Sequence, residues 1–174
     1  DAPSFEGIGS RRNYHWLAQW ILDPKAQRAS AQMPRLWHGG KAKEDAAAAA
    51  AFLASLKRKI GGSKAADATG DPVEGGKELF EILHCAACHN APEAGETNSE
   101  RISLKHVRRK FAPGVLPDFL KKPEDHYLWT RMPNFQLADD EAVNLAAYLA
   151  AHAEKPEEPD ERIDNSLVEH GRKL

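Results

Sequence analysis

The 174-residue chain has two cysteines, both in the run Cys85-Ala86-Ala87-Cys88-His89, and no other stretch constrains its fold as much. Thiols at i and i+3 with an imidazole directly after them are what covalent haem attachment needs. Each sulfur adds to one vinyl group of the macrocycle, and the histidine reaches the iron. Three other readings of the run have less support. Zinc would need two more ligands, and there is neither a third cysteine nor a downstream pair of closely spaced histidines. A thioredoxin-like redox pair belongs in a βαβ setting, which the surrounding pattern lacks. A disulfide between Cys85 and Cys88 would close a very short loop and gain little from it.

Composition narrows the class. Hydrophobic residues make up 41% and charged residues 29%, as in a globular protein, and the formal net charge is −2. That balance gives no case for nucleic acid or an anionic membrane as partner. No apolar run approaches the ~20 residues of a membrane span. The start Asp1-Ala2-Pro3 has neither a basic segment nor an apolar one. It is expected to follow a cleaved signal or to lie within a longer polypeptide.

Apolar spacing predicts helices throughout, and no alternating β-branched run occurs, so the expected class is all-α. Residues 1–10 read as loop. Asn13 is expected to cap a helix from Tyr14 to Leu22 that Asp23-Pro24 ends. A second helix is expected from Glu44 to Ile60, acidic at its start and basic at Lys57-Arg58-Lys59. Its alanine run has little surface to bury, leaving Phe52, Leu53 and Leu56 to pack. Further helices are expected at Val73–Leu83, Ser103–Phe111, Val115–Lys121 and, capped by Asp139, Asp140–Ala153. Residues 123–137 are expected to form a loop.

The chain also repeats itself. Pro24 precedes Met33-Pro34 by the same spacing as Pro123 precedes Met132-Pro133. Leu17 and Trp20 stand where Leu116 and Phe119 stand in the second copy, and Phe52-Leu53 matches Tyr148-Leu149. At the end, Val168-Glu169-His170-Gly171-Arg172-Lys173-Leu174 repeats the stretch from Val73 to Leu79. The expected organisation is a partial repeat at 1–60 without its own cysteines, a linker at 61–72, a complete module at 73–153, a Pro/Glu-rich linker at 154–167, and the start of a further repeat at 168–174. A piece of a tandem array accounts for this pattern more economically than a degenerate first copy.

The module 73–153 resembles the class I c-type cytochromes. The resemblance rests on the cysteine–histidine run, on Gly76 with Phe80 in the first helix, on Leu145, Tyr148 and Leu149 in the last, and on Met132 before that helix. Repeated short modules with Met-Pro loops also resemble the cytochrome domains of large Planctomycete-type proteins. The resemblance implies a helical module around one covalent haem c, attached through Cys85 and Cys88, with His89 and Met132 as axial ligands. It also implies a periplasmic or otherwise extracytoplasmic location, electron transfer with redox partner proteins, and neighbouring haem modules in a longer chain. Met132 could instead be core filler. His84, His106 and His126 are the rival distal ligands, the last two read as solvated. Trp129 and Arg131 are candidates to bond a haem propionate, with plain surface residues as the alternative. Leu116, Phe119, Leu128 and Phe135 are expected to line the pocket. The cluster Lys105-His106-Arg108-Arg109-Lys110 reads as a solvated helix face or as a docking patch. Catalytic motifs are absent, so an electron carrier is expected. The other readings are a haem enzyme or gas sensor with an open distal site, or a cytochrome domain fused to a periplasmic dehydrogenase.

Overall fold

The computed structural model describes residues 4–59, 70–94, 98, 100–127, 130–156 and 163–174. The end of the expected linker 61–72, Asp71 and Pro72, already belongs to the start of the helix Pro72–Ile82, whereas its residues 61–69, and 157–162 of the expected linker 154–167, lie outside the described residues. Among them the element order is α1 (Ile8–Arg11), α2 (Tyr14–Leu22), α3 (Pro24–Gln27), α4 (Ala42–Ser55), α5 (Pro72–Ile82), β1 (His89–Asn90), β2 (Ile102–Ser103), α6 (Val107–Lys110), α7 (Val115–Lys121), α8 (Pro123–His126), α9 (Asp139–His152) and α10 (Asn165–Lys173). The class is all-α, and β1 and β2 pair in parallel over two residues each. The chain divides into two compact units, Asp1–Lys59 with Pro156–Leu174, and Ile60–Lys155.

The second unit is built on the crossing of α5 and α9. Asp71 caps α5 by accepting the Val73 N–H, with Pro72 in its first turn. Gly76 then lies against the backbone of α9. A β-carbon there would overlap the Asn144 carbonyl oxygen and come 2.7 Å from the Tyr148 β-carbon. One turn on, Phe80 packs against Tyr148 with ring centroids 5.4 Å apart. The absent side chain lets the two backbones meet, and the aromatic pair fills the space beside the contact. Tyr148 donates its hydroxyl to Glu93 at 3.0 Å, and burial together with that carboxylate pushes its pKa up to about 12. Gly76→Ala is therefore expected to destabilise this unit by about 1–3 kcal/mol, the usual cost of overpacking. A shift in the urea midpoint of the haem-loaded chain measures it, and an unchanged midpoint would contradict the close crossing.

Around this pair the core gathers Val107, Phe111, Val115, Leu116, Leu120, Leu137, Leu145 and Leu149. The α9 start differs from expectation. Ala138 is the N-cap, and Glu141 reaches back to accept the Ala138 N–H at 2.8 Å, so Asp139 is the first helical residue. The expected basic helix from Ser103 is cut to α6, because Ile102 and Ser103 are engaged with β1. Part of the expected loop 123–137 is the single turn α8.

In the first unit α2 has its expected bounds, and Asn13 accepts the N–H groups of His15 and Trp16. Two expectations fail nearby. Residues 8–11 form α1 rather than loop, and α4 stops at Ser55 instead of reaching Ile60. The chain beyond that end is tied back to α1, where Lys57 donates its ammonium to the Gly9 carbonyl at 2.7 Å and the Arg58 N–H bonds Ser10 Oγ at 2.9 Å. The packing of α4 also differs, since Ala42, Ala46, Ala48, Ala50, Ala51 and Ala54 are its buried residues while Phe52 and Leu53 are only partly covered. Small side chains let neighbouring backbones approach closely. Gly171 of α10 lies against the Ala48 carbonyl, and Gly9 against that of Ala54.

Candidate haem-attachment site

The site begins where α5 ends. His84 takes the left-handed conformation (φ 53°) and turns the chain out of the helix, a conformation that histidine tolerates better than bulky or β-branched residues. Cys85–Ala87 then form a tight 3-10 turn in which the Cys88 N–H bonds the Cys85 carbonyl at 3.2 Å. Both cysteines are free thiols. Cys85 is partly buried against the core cluster, and Cys88 is exposed. Burial pushes the Cys85 thiol up, a backbone hydrogen bond opposes this, and the neighbouring Cys88 adds to it. A redox-active pair needs a lowered thiol pKa, so this environment speaks against that chemistry.

His89 is fixed by the short parallel pairing, opposite Ile102. Its Nδ1 lies 3.1 Å from the Ile102 carbonyl oxygen. A carbonyl only accepts, so Nδ1 carries the proton and Nε2 is left with its lone pair. Burial lowers the His89 pKa most, the Ile102 carbonyl works against that, and Lys110 lowers it further. The neutral imidazole is the form that binds a metal. Buried Asn90 holds the following loop by donating to the Asn98 carbonyl at 2.8 Å. Neither Ile102 nor Asn98 stands out in the sequence, because each acts through its backbone.

Met132, Phe119 and Phe135 pack against the same cluster as Cys85, and Leu116 is buried within it. Phe119 meets Phe111 with centroids 5.1 Å apart. The methionine loop is held by polar side chains. The Met132 N–H bonds Thr130 Oγ1 at 3.3 Å, Asn134 donates to Glu124 at 2.7 Å, and Asn134 Oδ1 accepts the Gln136 N–H at 2.8 Å. Gln136 has φ 55°. Sequence reasoning missed Asn134, although an asparagine two residues after the methionine is a recognisable turn signal. Two free thiols at the attachment spacing, an imidazole with Nε2 unprotonated and a thioether packed on the apolar cluster that Cys85 also joins form a donor set that fits haem c.

Of the remaining candidates, Arg131 is exposed, whereas Trp129 and Leu128 lie outside the described residues. The two histidines expected to be solvated are not, since His106 is 8% exposed and His126 is 6% exposed. His126 ends α8 with its ring edge-on to Phe119 at 5.4 Å. His106 Nδ1 is 2.9 Å from Glu154, just past α9, and Arg109 is 3.6 Å from the same carboxylate. The expected solvated face is thus partly a clasp between α6 and the end of α9, and of its five basic residues only Arg108 is exposed.

That clasp has a pH consequence. Burial lowers the His106 pKa from its ordinary value of 6.5, Arg109 and Lys105 lower it too, and Glu154 opposes them. The unfolded chain therefore binds a proton at higher pH than the folded one. The stability from neutral His106 is complete above about 6.5 and is lost as pH falls through the depressed folded value. Urea midpoints of the haem-loaded chain should fall more steeply below that pH than those of His106→Gln. Parallel pH profiles would contradict the assignment.

Residues 71–149, somewhat under half of the chain, match the family described as cytochrome C oxidase, cbb3-type, subunit III. No curated protein and no solved structure matches the chain. No helix of the described residues is long and apolar enough to cross a membrane.

Proposed function

We propose that residues 71–149, which belong to the class I c-type cytochromes and form a haem-binding electron-transfer domain, hold the iron of their covalent haem c between His89 and Met132. When bound, that group supplies a one-electron Fe(III)/Fe(II) couple. The observation that carries the ligand assignment is the Nδ1–H bond of His89 to the Ile102 carbonyl, which leaves Nε2 to bind a metal. Cys85 and Cys88 would hold the macrocycle through thioether bonds. The Met132 thioether favours ferrous over ferric iron and so raises the potential. Leu116 and Phe119 would keep water from the iron's surroundings, and Arg131, which is exposed, would be free to meet a propionate or a partner.

With His89 and Met132 both bound, the iron has no position for a substrate, so the domain is read as a carrier and not an enzyme. A formal net charge of −2 favours docking through a local patch over long-range steering, and redox proteins are the expected partners. Covalent haem attachment points to an extracytoplasmic location. Carbon monoxide added to the reduced, haem-loaded chain is expected to leave its spectrum unchanged. Prompt formation of a carbonmonoxy spectrum would instead indicate an open site, as in a gas sensor or haem enzyme.

A further inference from the structure

The two units carry methionine loops whose backbones agree up to the methionine. Asp23 (φ −150°, ψ 89°) and Lys122 (φ −142°, ψ 76°) share one conformation between consecutive helices. The short helices that follow close alike, Arg28 onto Pro24 and Tyr127 onto Pro123. The next turns match too, with the Ala31 N–H on the Arg28 carbonyl at 2.9 Å and the Thr130 N–H on that of Tyr127 at 3.0 Å. Met33 packs against the cluster of Leu17 and Ile21, as Met132 packs against that of Leu116 and Leu120.

The side chains that hold the second loop have no counterpart in the first. By the repeat, Lys25 stands where Glu124 stands, Ala31 for Thr130 and Arg35 for Asn134. Lysine and arginine only donate, so no bond like that from Asn134 to Glu124 can join them. Arg35 instead donates its Nε–H to the Trp37 carbonyl at 3.2 Å. The backbone diverges at the same place. Gln136 is left-handed at φ 55°, whereas Trp37, its counterpart, has no positive φ. A glutamine persists in that conformation only where its surroundings over-determine it, and such strain gathers at functional sites. Here Asn134 supplies the constraint. Its Oδ1 accepts the Gln136 N–H at 2.8 Å while its amide N–H is anchored on Glu124 at 2.7 Å. Brace and strain accompany the methionine that shares a unit with Cys85, Cys88 and His89, and the other methionine has neither.

We propose that Glu124 and Asn134 are positioning residues for Met132, holding its loop closed so that the thioether stays on the iron. The proposal rests on the His89/Met132 reading of the site. Both side chains are exposed, so their bond contributes little to global stability and acts on the loop. Without it Met132 spends more time off the iron. An added ligand reads that open fraction directly, because its apparent affinity scales with the population able to bind it.

The test is a titration of the ferric, haem-loaded chain with imidazole, followed by visible absorption. Asn134→Ala and Glu124→Ala should each bind imidazole about two- to tenfold more tightly than wild type, the weight of one ordinary hydrogen bond, with the urea midpoint unchanged. Glu124→Gln, whose amide oxygen still accepts from Asn134, should keep the wild-type affinity. In a Met132→Ala background, Asn134→Ala should change nothing, since the brace acts through the methionine. Wild-type affinity in both alanine variants, a gain matched by a fall in the urea midpoint, or an effect that survives in Met132→Ala overturns the proposal. A wild-type ferric chain without the near-infrared methionine–iron band would instead overturn the ligand assignment, and the brace with it.

Discussion

Replacing both Cys85 and Cys88 by alanine is expected to leave residues 73–153 without a cooperative fold at temperatures where the haem-loaded module is intact. A module of about 80 residues draws only ~3–5 kcal/mol from its own core. Cys85, Met132, Phe119 and Phe135 are all only partly buried and pack on the edge of the main cluster. Without the covalent group these residues lose the partner their arrangement fits. Amide hydrogen exchange in α5 and α9 should then approach unfolded rates, starting with Phe80, Leu145 and Leu149. Native-like protection in the double variant would show that the helix crossing at Gly76 suffices alone.

Met132→Ala should leave both thioether bonds in place and change the iron. The ferric spectrum is expected to pass from low-spin to high-spin, and the midpoint potential to fall by on the order of 100 mV, a modest part of the range that axial ligands span. Met132→His should restore the low-spin state at a potential below that of the methionine form. Because His126 is buried against Phe119 and His106 is clasped to Glu154, neither is disposed to replace the missing thioether without rearrangement. Spectroelectrochemical titration of the three forms reads both effects. An unchanged potential in Met132→Ala would mean that the thioether serves packing only.

Local signals in the sequence were legible where local chemistry decides. Asn13 and Asp23-Pro24 bound α2 on both sides, and the apolar spacing of Val115–Lys121 places α7. The signal fails where a distant partner intervenes. The basic residues after Ser55 look like the end of a longer α4, yet two of them bond Gly9 and Ser10. Ser103 looks like a helix start, but β1 claims its neighbourhood. Polar neighbours made His106 and His126 look solvated, whereas their burial comes from α9 and from Phe119. At the site, the spacing of Cys85, Cys88 and His89 carries the chemistry by itself. The Ile102 carbonyl that orients His89 is a backbone group 13 residues away, which no side-chain pattern reports. Likewise the repeat at Val168–Leu174 shows what α10 resembles, and only the fold shows that it lies on α4.

The most direct measurement of the central claim is the near-infrared absorption of the haem-loaded, ferric wild-type chain at neutral pH. Axial binding of His89 and Met132 predicts a weak methionine–iron charge-transfer band that disappears on reduction, together with a low-spin ferric visible spectrum, and both are lost in Met132→Ala. A high-spin ferric spectrum without that band would contradict the account and leave the iron open to ligands.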